Sequence, residues 1–298
     1  MRAFRALVRW AGMPVLLVGA AWATFELLAR GANEGAVLGG MGVLVFLIVW
    51  GLERLVPFKP EWNANDGQRW HDVGHTLFGT FLGGRLGQVM TLALTGSAAA
   101  WIAERTDGGL WPADVPVAVQ IAIVFLAADL GRYVQHRAMH EVPLLWRFHQ
   151  LHHSIDVLNV WKTSRNHFVE RLFQQLFLLG PVLALGAPAE VVLPFVVANS
   201  YLGVFDHSNV DFRLGPLEYV VMGPSAHRLH HSRDLREGNT NFGTSLVVWD
   251  WVFGTYTNPV RRAREGAASY RVGIADDDMP SGFVAQVIDP FKPRRAHG

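Results

Sequence analysis

Apolar residues fill the first half of the chain in long runs without charge, separated by short polar links rich in Gly, Pro, Asp and Arg. A helix rises about 1.5 Å per residue, so about 20 mainly apolar residues cross a bilayer core. Stretches near 10–28, 36–56, 86–103 and 116–134 meet that length. The apolar span from Leu172 to Phe205 is interrupted at Gly180-Pro181 and between Gly186 and Pro188, which predicts a helical hairpin that enters the membrane and returns. The pattern predicts an all-α integral membrane helical bundle with about four to six transmembrane passes. The first segment, led by Arg2, Arg5 and Arg9 and with small residues near Ala20 to Ala23, shares some marks of a signal peptide. Its apolar run continues to Leu28, which favours a retained anchor.

Lys and Arg in short loops mark the cytoplasmic side of a membrane protein. Under these spans, Arg2, Arg5, Arg9, Arg54, Lys59, Arg69, Arg132, Arg137, Arg147, Lys162, Arg165 and Arg171 share one side, and only Arg30 and Arg105 fall on the other. The region after His207 is polar, arginine-rich and too broken by Gly and Pro to cross again, so it joins the cytoplasmic face as a histidine-rich helical cap. The organisation expected is a single membrane domain over 1–298: amino-terminal anchors at 1–115, a histidine-bearing region at 116–260, and a cytoplasmic tail at 261–298 that includes His297. The chain shows no internal repeat, low-complexity segment or linker.

Composition supports the membrane reading: 50% hydrophobic and 17% charged residues, with a mean hydropathy of +0.19, exceed what a soluble core holds. A net charge of +1 provides no field for a nucleic acid. Cysteine is absent, which excludes disulfides, thiolate nucleophiles, c-type haem and iron–sulfur clusters. Any metal must sit on nitrogen and oxygen, and 13 histidines supply the nitrogen.

Eight of those histidines form three boxes: His136 and His140 in HRAMH, His149, His152 and His153 in HQLHH, and His227, His230 and His231 in HRLHH. Helical residues three or four apart share a face, so each box aims imidazoles into one cavity. One HxxHH is expected by chance roughly 0.02 times in a chain of this length, and this chain has two. Imidazole suits Fe, Zn, Cu and Ni. Eight donors exceed the needs of one ion, and a structural zinc closes with four, so two nearby redox metals with open positions fit better. The first box lies on the helix that begins after Pro116, with Asp129 about two turns earlier on the same face. There it either supports the ligands or pairs with Arg132 or Arg137. That helix should end at Pro143, where the second box begins.

From Asp129 to Tyr256 the chain resembles the fatty acid hydroxylase and sterol desaturase superfamily, which includes sterol C4-methyl oxidases and alkylglycerol monooxygenase. The resemblance rests on DLGRYVQHRAMH at 129–140, WRFHQLHHS at 146–154, TSRNHFVE at 163–170, FDHSNV at 205–210, HRLHHS at 227–232, NFG at 241–243 and WDWVFGTY at 249–256. Phe168 and Asp206 depart from the proline and glutamine common at those places. The resemblance implies that His136, His140, His149, His152, His153, His227, His230 and His231 bind a di-iron centre that activates dioxygen. It also implies His207 as a ninth ligand, and His167 and Glu170 as further ligands or supports. His71 and His75 repeat HxxxH far from the boxes and are expected to be an interfacial pair. The implied reaction hydroxylates or desaturates an unactivated C–H bond of a lipid, such as a sterol, fatty acyl chain or related isoprenoid. The lipid enters from the bilayer, and a separate reductase or ferredoxin-type donor supplies electrons, in what is expected to be a bacterial inner membrane. The competing classes are a non-catalytic membrane metal-binding protein or metal transporter, and a membrane haem protein with paired axial histidines.

Overall fold

The computed structural model describes residues 1–106, 109–264, 271–274 and 279–293; the remaining residues, His297 among them, lie outside this description. The described residues form helices and no strand, only isolated bridges. Five helices are long and apolar enough to cross a membrane: α1 (Arg2–Ala29), α2 (Glu34–Leu55), α3 (Arg69–Ala103), α4 (Val117–Glu141) and α7 (Ala189–Asp206). Between α4 and α7 lie α5 (Pro143–His153) and α6 (Phe168–Ala184), and the cap contributes α8 (Pro224–His230) and α9 (Val248–Val252).

The long helices stand in a row. α3 packs on α6, α6 on α4, α4 on α7, and α7 on the α1–α2 pair. Their outer faces carry exposed Val, Leu, Phe and Trp, while burial concentrates on α4 and α7 in the middle of the row. Such an inside-out distribution is stable only in a lipid solvent.

Two expectations about helix limits need correction. The crossing near 86–103 is the end of a 35-residue helix that starts at Arg69. At about 1.5 Å per residue it exceeds a bilayer core of about 30 Å, so its first turns, which carry His71 and His75, project from the membrane. His75 is buried there and its Nε2 lies 2.9 Å from Oε1 of Gln286. The predicted break at Gly180-Pro181 is also absent: α6 runs through Pro181 and stops at Gly186, whose φ of +89° ends the helix. A proline removes one helical hydrogen bond, and a neighbouring helix can accommodate the freed carbonyl. The second predicted interruption, between Gly186 and Pro188, does separate α6 from α7, and both lean on α4, where Leu178, Val191, Val192 and Phe195 surround Val124 and Ala128.

The tail is partly docked. The helix Phe283–Ile288 packs against the start of α3, with Phe283 on His75 at 4.7 Å between ring centroids. Phe291 meets Phe148 of α5.

Candidate metal centre

Each box sits where its helix leaves the bundle. His136 and His140 occupy the last turns of α4, Val142 ends that helix, and Pro143 starts α5 with its three histidines in the final turns. His207 is the carboxyl-terminal cap of α7, and α8 with the residue after it presents His227, His230 and His231. All except His140 are buried.

The nine rings divide into two groups, His136, His140, His149, His153 and His230 in one, and His152, His207, His227 and His231 in the other. Within each, candidate ligand nitrogens lie within 4.8 Å of one another. The adjacent pairs His152-His153 and His230-His231 each send one ring to each group. Successive helical residues diverge by about 100°, so an HH pair bridges two centres as a lone histidine cannot. Rings of the two groups touch where His153 stacks on His231 at 4.3 Å.

The spacing within the second group identifies what it is shaped to hold. Nε2 of His207 lies 3.1 Å from that of His152, 3.2 Å from His231 and 3.0 Å from His227, and His231 and His227 are 3.1 Å apart. Neutral imidazoles carry one N–H each, so converging nitrogens cannot all pair with one another. Nitrogens about 2.1 Å from a common ion lie about 3.0 Å apart at right angles and about 3.4 Å apart at the tetrahedral angle. The observed distances are those of nitrogens turned toward one common centre. The first group shows the same approach between His153 and His149, whose Nε2 atoms are 3.2 Å apart, and leaves Nε2 of His140 and His230 without a hydrogen-bond partner.

The outer ring nitrogens of five histidines face oxygen, whereas Nδ1 of His207, His227 and His231 has no partner among the described residues. Nδ1 of His136 lies 2.8 Å from the Phe242 carbonyl and that of His230 2.9 Å from the Thr240 carbonyl. Nδ1 of His152 faces the Arg165 carbonyl, and that of His140 the Asn239 side chain, both at 3.3 Å. An acceptor at Nδ1 holds the proton there and leaves the Nε2 lone pair for a metal. Glu170, at the start of α6, brings Oε2 to 3.2 Å from Nδ1 of His149. Below them, Arg165 and Lys162 pair with buried Asp72 at 2.8 and 2.7 Å, pinning the segment whose carbonyl meets His152.

Asp129 neither approaches a ring nor pairs with Arg132 or Arg137. Its Oδ1 accepts from the Ser245 N–H at 2.8 Å, and from the Leu246 N–H and the Thr244 hydroxyl at 3.3 Å. Arg132 instead bonds Gln135, and Arg137 pairs with Glu141. Asp129 thus anchors the loop whose Phe242 carbonyl meets His136. Asp250 holds the other side of that loop, accepting from the Phe242 and Gly243 N–H groups at 2.8 Å each. This explains why NFG and WDW occur together, a relation that sequence alone left unread. Replacing Asp250 with alanine would orphan two buried donors at about 1–3 kcal/mol each. We expect a lower melting temperature and reduced metal content, with Asp250→Asn intermediate.

His167 stays outside both groups. Its Nδ1 caps α6 by accepting from the Val169 N–H at 3.2 Å, and its Nε2 lies 3.0 Å from the Val287 carbonyl. It joins the docked tail to α6.

Burial pushes His152 and His230 down to about 3, and His227 and His231 lie well below the ordinary histidine range for the same reason. The unfolded chain takes up these protons near pH 6.5 and the folded chain does not, so below 6.5 protonation favours unfolding. The metal-free protein should be most stable above pH 6.5 and lose up to about 1.4 kcal/mol per pH unit for each such histidine on acidification. Thermal melts of chelator-treated protein between pH 8 and pH 5 test this; a flat profile would contradict it.

The comparisons with known proteins agree with this geometry. The Fatty acid hydroxylase family model matches residues 121–255, from the second turn of α4 past the last box. The chain is 38% identical to the ornithine lipid hydroxylase OlsE of Rhizobium tropici over 242 residues, covering 80% of this chain and 71% of that protein. It is 34% identical to alkylglycerol monooxygenase of Xenopus tropicalis, over 45% of this chain and 30% of the relative. With cholesterol 25-hydroxylase of Mus musculus it shares 32% identity over 49% of this chain and 51% of the relative. No solved structure matches significantly. Apolar helices, clustered imidazoles and this kinship together make the chain an integral membrane, oxygen-dependent oxidoreductase belonging to the fatty acid hydroxylase family.

Proposed function

We propose that the protein is a lipid hydroxylase in which His136, His140, His149, His153 and His230 hold one iron, and His152, His207, His227 and His231 hold a second. The observation that carries this reading is the division of both HH pairs between the two groups, which serves two neighbouring ions and has no use around one. The eight box histidines alone divide five and three, and His207 makes the second group four. A bound iron pair supplies dioxygen activation and oxidation of an unactivated C–H bond. The balance is RH + O2 + 2 e⁻ + 2 H⁺ → ROH + H2O, so a separate reductase or ferredoxin-type donor must provide the electrons.

The protein's own work is binding and orientation. Backbone carbonyls of Arg165, Thr240 and Phe242 fix ring tautomers, and Glu170 orients His149. The positive-inside distribution of Arg and Lys supports a cytoplasmic position for the rings, where a soluble donor can dock while lipid enters from the leaflet. A transporter needs ligands spaced along a path through the spans, whereas these gather at helix ends. Similarity over 80% of the chain to an ornithine lipid hydroxylase makes that kind of lipid the first to examine.

The test is metal analysis of the purified protein, combined with lipid mass spectrometry of cells with and without it. Two irons per chain and a lipid heavier by one oxygen are expected. Zinc with no lipid change would refute the reading, and loss of two hydrogens would redirect it to desaturation.

A further inference from the structure

A cavity of about 260 Å³ opens between α4, α6 and α7 and reaches the rings of both groups. In a lipid-metabolising membrane protein an apolar tunnel is expected here, yet Gly203 and Val204 are the only lining residues without a polar side chain. Apart from five histidines, the lining carries four ionisable side chains: Arg132, Arg171, Glu170 and Asp206. Glu170 is occupied with His149. Arg132 and Arg171 each make one side-chain bond, to Gln135 and Gln174 respectively, and Nε of Arg171 has no partner. Asp206 is only 5% exposed, and its Oδ1 is buried without a hydrogen-bond partner among the described residues.

An acyl chain does not suit this space. Filling it with hydrocarbon would leave one carboxyl and two guanidinium groups against apolar atoms without any new hydrogen bond, and an unsatisfied group of that kind costs several kcal/mol. The lining is satisfied by a ligand that carries both signs of charge. An ammonium answers the carboxyl left without a partner, and a carboxylate or phosphate answers the two guanidiniums, whose forked donors match such oxygens. Two polar side chains lie two turns apart on one face of α7, Asn199 and Asp206, with Gly203 leaving room between them and His207 at the helix end. Polar residues aligned inside an apolar span mark a ligand path.

We propose that this cavity takes the zwitterionic headgroup of a lipid, with Asp206 receiving the ammonium and Arg132 and Arg171 the anionic group, so that headgroup carbons rather than the distal acyl chain face the histidine groups. The proposal rests on the lipid-hydroxylase reading and names the part of the substrate presented for oxidation. Asp206 also has a place in the sequence argument, since it is one of two departures from the pattern common in the family.

Binding to the purified full-length chain in dodecyl maltoside micelles tests the assignment without requiring turnover. The probes share one tail length: Nα-lauroylornithine, with carboxylate and ammonium; N-lauroylglycine, with carboxylate alone; dodecylamine, with ammonium alone; and 1-dodecanol, uncharged. A dodecyl phosphoethanolamine distinguishes phosphate from carboxylate as the anion. We expect the zwitterions to bind at least about tenfold more tightly than either singly charged probe, with dodecanol weakest; a tenfold change corresponds to about 1.4 kcal/mol. Asp206→Asn should remove the advantage of Nα-lauroylornithine over N-lauroylglycine, Asp206→Glu should retain part of it, and Arg171→Gln should weaken both carboxylate probes. Metal content is measured on every variant. Equal affinity of wild-type protein for dodecanol and Nα-lauroylornithine overturns the proposal whether or not any variant folds. So does an Asp206→Asn protein with normal metal content and an unchanged preference. If wild-type protein binds no iron but shows the zwitterion preference, the hydroxylase reading fails and the headgroup site stands.

Discussion

His230→Ala and His231→Ala are each expected to abolish lipid oxidation, by at least about 100-fold, although they alter neighbouring positions at the end of one short helix. Loss of a group that only supports a ligand typically costs about 10–100-fold, and loss of a ligand should exceed that. The informative result is the metal inventory. His230 belongs to the group of five and His231 to the group of four, so each substitution should weaken a different ion while leaving the other nearer full occupancy. Metal analysis and the spectroscopic signature of the remaining ion distinguish this from general unfolding. His71→Ala removes a histidine from an HxxxH pair on the projecting start of α3, outside both groups, and should leave oxidation and metal content close to wild type. If His230→Ala and His231→Ala retain wild-type oxidation and metal content, the two-ion reading is wrong.

Much of this centre was legible because its information is local. HxxxH on an apolar run ended by Pro143 specifies two rings on one helical face, and that is how α4 presents His136 and His140. The HxxHH spacing likewise places rings on short helices. The assignment of each doublet to both groups was not fixed locally, since it depends on how α5 and α8 are turned toward each other. His207 was legible only through resemblance, as nothing in its immediate sequence distinguishes a ligand from an ordinary helix cap. The ties that hold the rings are longer in range. Asp129 to Ser245, His75 to Gln286 and His167 to Val287 join residues more than 100 positions apart. No periodicity encodes such contacts, which is why His167, expected as a further ligand or a support, is found capping α6.

Pro181 was read as a break, and the reason it is not one leads to the second large effect. A proline at 181 has no N–H for the carbonyl of Phe177, four residues earlier. That carbonyl faces Gly131 of α4, where a Cβ would stand 1.8 Å from it, so the two backbones meet with no side chain between them. On the opposite side of α6, added Cβ atoms at Gly83 and Gly87 of α3 would stand 2.2 and 2.3 Å from the carbonyls of Phe168 and Leu172. α6 is therefore clasped between two glycine surfaces, a form of close packing that suits membrane helices because hydrocarbon offers no hydrophobic drive for their association. Gly131→Ala must push α6 away from α4, yet α3 already blocks that movement. The obstacle is backbone, which cannot rotate aside. We expect a loss of at least about 3 kcal/mol, the upper part of the usual range for over-packing. Because His136 follows Gly131 by five residues and Glu170 rides on α6 against His149, the displacement should also lower metal content and oxidation. Gly40→Ala on α2, where nothing lies within 4 Å of the added carbon, should be neutral or slightly stabilising because alanine is the better helix former. A Gly131→Ala protein that melts with Gly40→Ala and carries the same metal would show that the row of helices is not held by this contact.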